Sequence, residues 1–254
     1  MPERRPGGFL AAVQFLTRVP VRLRRPPDLA SAVVWFPVVG ALVGALAGAI
    51  AAGLGAVSAI AVGAAVGVLA GVLVTGAFHE DGLADLADAV AGGWTRQRRL
   101  EILDDPRHGT YGVAALSGSI VVRVVAVASL GPAAAFAGLV AAHALARGAA
   151  VAAMGWAPLA RSDGLGAGYA AAVNGRRAMA GGTVALGFGA LATGWWIGPL
   201  AVAAAVPAVL VVMVARRALG GITGDVLGAV EQVAECTVLV AVTVLARHHR
   251  VWWT

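Results

Sequence analysis

Apolar and polar positions fall in long blocks along this chain. From Leu29 to Phe78 there is no charged residue at all. That run is far longer than one membrane span of ~20 residues. It divides near Gly53-Leu54-Gly55, which predicts helices at about 31–53 and 57–77. A polar loop, 79–112, follows. Further apolar blocks predict spans at about 113–130, 132–156, 178–196, 199–215 and 226–246, with Gly131-Pro132 and Pro199 as breaks. Ahead of them, Phe9 to Leu16 is short, runs straight into Arg18 and lacks a small-residue cleavage site. It reads as an interfacial segment with Phe9, Val13 and Leu16 on one helical face.

The first two spans each carry a glycine ladder: Gly40, Gly44, Gly48 and Gly63, Gly67, Gly71. Four-residue spacing puts each triplet on one face, where helix backbones can approach closely.

Composition agrees. Hydrophobic residues make up 59% and charged residues 13%, against about 25% charged in a soluble domain. A soluble domain, a disordered chain and a disulfide scaffold are excluded. Blocks rather than alternation favour helices over a barrel. The fold class is all-α: a polytopic membrane protein of about seven transmembrane helices, read as one domain, 1–254.

All 19 basic residues are arginine. With the N-terminus inside, 15 of the 19 fall in 1–30, 79–112, 157–177 and 216–225. That asymmetry makes these segments cytoplasmic. Arg247 and Arg250 dissent. The arginines form no basic arm or stripe, so nucleic acid is not expected as a partner. Cys236 stands alone and reads as a small buried hydrophobe.

The acids are few and clustered. Seven of 13 lie between Glu80 and Asp105, and three between Asp225 and Glu235. Like charges repel and resist desolvation, so a cation or cationic substrate is implied. On a helix, Asp81, Asp85 and Asp88 share an arc of roughly 60°. Oxygen ligands on one face suit Mg²⁺, Mn²⁺ or Ca²⁺. His79 keeps zinc open, and a solvated acidic helix start is the plainer alternative.

Farther on, Arg107 with Gly109, Thr110 and Gly112 offers a guanidinium, a hydroxyl and backbone N–H groups suited to phosphate. A turn leading into the third span explains them equally well. Gly220-Gly221-Ile222-Thr223-Gly224-Asp225 has two similar readings: an Asp N-cap, or a phosphate- or metal-holding loop. No Lys follows, so it is not a Walker A loop. Glu231 and Glu235 share a face inside the last span, where acids are costly. Arg123 and Arg147 are their candidate partners.

These motifs together resemble one family. His79-x-Asp81-Gly82-Leu83-Ala84-Asp85-x-x-Asp88, Leu100-Glu101-Ile102 with Arg107-x-Gly109-Thr110-x-Gly112, and Gly220-Gly221-x-Thr223-Gly224-Asp225 with Glu231 and Glu235 are similar to cobalamin synthase. Phe15-Leu16-Thr17-Arg18-Val19-Pro20-Val21, Phe36-Pro37-x-x-Gly40 and Arg147 also fit, so the likeness runs from about 9 to 240. Glu80, Asp104, Pro106 and His108 depart from the family pattern.

The resemblance implies an Mg²⁺-dependent phosphoryl transfer at the inner (plasma) membrane. Adenosylcobinamide-GDP would react with α-ribazole or its 5′-phosphate, and GMP would leave. It implies Asp81, Asp85, Asp225 and Glu231 as metal ligands, with Asp81 and Asp85 catalytic and Asp88 the general base. Arg18, Arg107, Thr110, Arg147 and Thr223 would bind substrate. The bilayer is the surrounding partner, and homo-oligomer formation is left open. Rival readings are a CDP-alcohol-type lipid phosphotransferase and a transporter; no internal repeat supports the latter.

Overall fold

The computed structural model describes residues 7–23, 28–162 and 165–254. Arg4, Arg5, Arg24 and Arg25, counted above in the N-terminal segment, lie outside them. The described chain is helical, with one isolated bridge between Leu159 and Ile222. Helix α1 (Gly8–Leu16) and a single turn, α2 (Leu29–Ala32), precede α3 (Phe36–Val57), α4 (Ile60–Thr75), α5 (Phe78–Gly92) and α6 (Arg96–Leu103). Then come α7 (Thr110–Ala128), α8 (Pro132–Trp156), α9 (Leu165–Ala171), α10 (Gly175–Thr193), α11 (Ile197–Leu219) and α12 (Gly224–Ala246).

Five stretches are long and apolar enough to cross a membrane: Leu29–Val57, Thr110–Ala128, Pro132–Trp156, Gly175–Leu219 and Gly224–Ala246. A sixth arises if α4 and α5 form one bent span. Gly175–Leu219 is broken at Gly194, whose φ is +63° and which opens a 3₁₀ turn, Gly194–Trp196. Gly182 and Val209, far from that break on either side, line one cavity against α8. Helices α10 and α11 therefore fold back on each other. Trp196 is fully buried in the turn, while Trp195 stays exposed.

Packing follows the pattern of a protein dissolved in lipid. Leu42, Val62, Leu73, Val121, Leu191 and Val202 point outward. Small residues face inward, since lipid gives helices no hydrophobic reason to associate and close backbone contact must hold them. Helix α8 is the axis, with Ala137, Ala141, Ala142, Ala144 and Ala146 wholly covered. The first glycine ladder lies on it in antiparallel order. A Cβ on Gly40 would strike the His143 carbonyl and Arg147, one on Gly44 the Leu139 carbonyl, and one on Gly48 Phe136. Gly63 and Gly67 abut α3 backbone in the same way. Both ladders are packing faces.

The polar stretch after α4 is not a loop. Gly76 (φ +70°) and Ala77 (φ +59°) turn the chain through 87° into α5. A left-handed alanine costs about 1 kcal/mol, so what α5 docks against must hold this turn. The turn lays α5 across the starts of α7 and α12. Helix α6 then covers the C-terminus of α11: Arg96 Nε donates to the Leu219 carbonyl (2.6 Å), and its NH2 to that of Ala160 (2.9 Å).

Candidate active site

Two glycines bring α5 onto α12. A Cβ on Gly82 would lie 2.8 Å from the Asp225 carbonyl oxygen, and one on Gly228 3.2 Å from that of His79. This contact sets the α5 acids beside the start of α12. Thr223 is the α12 N-cap: its hydroxyl accepts from the Val226 N–H (3.3 Å) and donates to Asp225 Oδ2 (3.1 Å). The sequence suggests Asp225 as a cap. Thr223 takes that position and leaves Asp225 in the first helical turn, one carboxylate oxygen steadied.

On α5, Asp81 is largely exposed and Asp85 mostly covered. His108 stands between them, Nε2 3.4 Å from Asp81 Oδ1 and Nδ1 3.3 Å from Asp85 Oδ1. Asp81, Asp85 and His108 each offer one donor atom, all within 4.8 Å of one another. Burial, then the Asp81 and Asp225 charges, push the Asp85 carboxyl up to about 6, against the opposing pull of His108. Such crowding of carboxylates is what a cation relieves.

Asp88 shares their arc but has a different environment. Its Oδ2 accepts from the Gly109 N–H (2.6 Å) and its Oδ1 from the Gly112 N–H (2.9 Å). A Cβ on either glycine would collide with this carboxylate. Asp88 thus caps the N-terminus of α7, where the helix dipole also favours a negative charge. It is buried.

The remaining expected residues sit on separate segments. Arg107 is exposed and forks onto its neighbour, Nε to Asp105 Oδ1 (2.9 Å) and NH2 to Oδ2 (2.7 Å). Hydrogen bonds from Arg107 hold the Asp105 carboxyl down to about 2. Thr110 is exposed on the first turn of α7. Arg18 packs its side chain over Gly76 at the α4–α5 turn, and its N–H donates to the Val74 carbonyl (2.7 Å).

Arg147 and Glu231 lie in the interior instead. They form a buried ion pair, and Glu231 also accepts from Gln232 Nε2 (2.9 Å) and lies 3.8 Å from His79. Arg123 bridges Glu235 (3.0 Å) and Glu80 (2.9 Å). The expected pairing of intramembrane arginines with Glu231 and Glu235 is present, with Glu80 as an unforeseen third acid. His143, Glu231 and Glu235 form a second donor group. The Arg147 guanidinium already sits among them, 3.0 Å from His143 Nδ1 and 3.9 Å from Glu235.

Comparison with known proteins decides the family. The cobalamin-5-phosphate synthase profile matches residues 8–243. A protein of Azorhizobium caulinodans named adenosylcobinamide-GDP ribazoletransferase is 39% identical, covering 94% of this chain and 96% of its own length. Like-named proteins of Ralstonia nicotianae and Chlorobaculum tepidum are 41% and 35% identical, over 90% and 91% of this chain and 91% and 92% of theirs. The chain belongs to the cobalamin-5-phosphate synthase family. No solved structure matches it.

In this synthase-family chain the donor set at the α5–α12 contact is chiefly carboxylate. That chemistry fits a hard divalent cation. Sequence reasoning missed two members of the surroundings. His108 was visible only as a departure from the family pattern. Glu80 was visible as an acid in an otherwise apolar register, which requires a buried cationic partner.

Proposed function

We propose that this chain is an adenosylcobinamide-GDP ribazoletransferase. It joins α-ribazole, or its 5′-phosphate, to adenosylcobinamide-GDP and releases GMP. The supporting observation is the cluster of Asp81, Asp85 and His108 where α5 crosses the start of α12, the helix whose first turn carries Asp225. We assign Asp81, Asp85 and Asp225, with His108 adjoining, to hold Mg²⁺. When bound, the ion neutralises charge on a diphosphate and favours attack at phosphorus. Thr223 orients Asp225. Arg107 exchanges Asp105 for substrate phosphate, since the same guanidinium fork fits either anion. Thr110 and the N–H groups opening α7 lie on the segment that Asp88 holds in place. We assign Asp88 to that holding role rather than to proton acceptance, and Arg147 and Glu231 to the interior rather than to substrate and metal.

The arginine distribution supports seven crossings, with α10 and α11 as separate spans, in the inner membrane with the site facing the cytoplasm. The test is GMP release by detergent-solubilised protein given adenosylcobinamide-GDP, α-ribazole phosphate and Mg²⁺, with and without EDTA. We expect metal-dependent GMP with a coupled corrinoid product. Asp81→Asn should stay folded and lose that turnover. Full activity in Asp81→Asn would remove its metal role, and no GMP from folded wild type would overturn the reading.

A further inference from the structure

We infer that Glu80 is a positioning residue for the acidic face of α5, acting through Arg123 and Glu235; this rests on the metal-site reading above. Helix α5 enters through two consecutive left-handed residues. Such a turn leaves the direction of the helix to its docking contacts. The Asp88 cap fixes the far end of α5, and Gly82 fixes the height at which it crosses α12. Packing of the His79 backbone on Gly228 also meets the first turn, which carries Asp81, but packing alone does not direct its rotation.

Glu80 does so. Its Oε1 accepts from Arg123 NH2 (2.9 Å) and from Gln232 Nε2 (3.2 Å). Arg123 donates at the same time through NH1 to Glu235 Oε1 (3.0 Å). One oxygen of α5 is thereby tied to α7 and α12 together. Glu80, Arg123 and Glu235 are 2%, 2% and 1% exposed, so water does not compete for these bonds. The tie sits one residue before Asp81, about 100° around the helix. Holding Glu80 toward the interior turns Asp81 outward and Asp85 toward His108.

Bulk alone does not account for a carboxylate here. Taking an ion pair out of water costs enough that well-packed apolar residues do as well or better for stability. Glu80 Oε2 makes no hydrogen bond at all. What the pair adds over an apolar side chain is direction: a planar guanidinium fork holds one arrangement of three helices.

The experiment uses Mn²⁺ as the probe, its binding to purified full-length protein followed by electron paramagnetic resonance, beside thermal unfolding. Glu80→Met keeps approximate volume and leaves Arg123 paired with Glu235. It leaves Arg123 NH2 without its acceptor, so Tm should fall modestly, while Mn²⁺ affinity falls about tenfold. Glu80→Gln retains the accepting oxygen and should recover most of that affinity. Arg123→Lys keeps the charge without the fork and should also weaken Mn²⁺ binding, which covers the case that Glu80→Met does not fold. Wild-type affinity in the folded variants, or a lower Tm with affinity unchanged, overturns the inference. Wild-type protein that binds no Mn²⁺ overturns the metal-site reading itself.

Discussion

Removing the Asp88 carboxylate should loosen the segment ahead of α7 without unfolding the bundle. The carboxylate accepts two backbone N–H groups, at 2.6 and 2.9 Å. Hydrogen bonds to a charged partner contribute about 1.5–3 kcal/mol each. Gly109 is exposed and can turn to water after an Asp88→Ala change, whereas the Gly112 N–H is buried and would stay unpaired. The net cost is then about 2–4 kcal/mol. Most of it falls on docking of the 104–112 segment, since α7 itself is held by α4, α5 and α12. At about 1.4 kcal/mol per decade, local opening rises roughly 30- to 700-fold. Amide hydrogen exchange across 105–113, read by mass spectrometry, measures this directly. Asp88→Asn, which keeps one accepting oxygen, should give an intermediate value. In both variants kcat/KM for GMP release should fall as exchange rises. If Asp88→Asn abolishes turnover while exchange stays at the wild-type rate, the holding role is wrong and a proton-accepting role returns.

Other outcomes are equally specific. Gly82→Ala puts a methyl 2.8 Å from the Asp225 carbonyl oxygen, against backbone that cannot yield. Overpacking of this kind costs about 1–3 kcal/mol, so the variant should show a modestly lower Tm but GMP release reduced well beyond that loss of folded protein. Arg107→Ala should raise KM for the nucleotide-linked substrate and leave Tm unchanged; unaltered kcat/KM would refute the clamp. The folded Asp105 value of about 2 lies below its ordinary 3.8. That pair is therefore intact above about pH 4 and lost only as pH falls through 2. Any activity limb between pH 5 and 8 must come from another group, and Arg107→Ala should leave its position unmoved in a pH–rate profile.

The spans were legible because a bilayer writes its thickness into the sequence as apolar blocks. The glycine ladders were legible because close packing needs a fixed spacing. Periodicity also put Asp81, Asp85 and Asp88 on one arc, but an arc does not say what lies across from it. Asp88 meets N–H groups 21 and 24 residues away, and no local pattern carries that separation. For the same reason Arg123 could be matched with Glu235 but not with Glu80. Helix α6 was hidden in a polar stretch because arginines tying down the carbonyls at the end of α11 leave no apolar stripe. A break between the fifth and sixth spans was expected from Pro199, yet its place at Gly194 and the burial of Trp196 depend on tertiary contacts.

The division of the buried charges among helices bears on how the chain is made. Arg147 and His143 ride on α8, while their acidic partners Glu231 and Glu235 ride on α12 and leave the ribosome some eighty residues later. Ribosomes add about 5–20 residues per second, so α8 waits several seconds with its guanidinium unmatched. A lone charge in lipid is costly over that interval, so α8 must linger in the insertion machinery or beside water until α12 arrives. The carboxylates of α5 likewise gain Asp225 only at that moment. On the proposed reading the metal site therefore gains its third carboxylate only when α12 is integrated, and a nascent chain released before then carries Asp81, Asp85 and His108 alone.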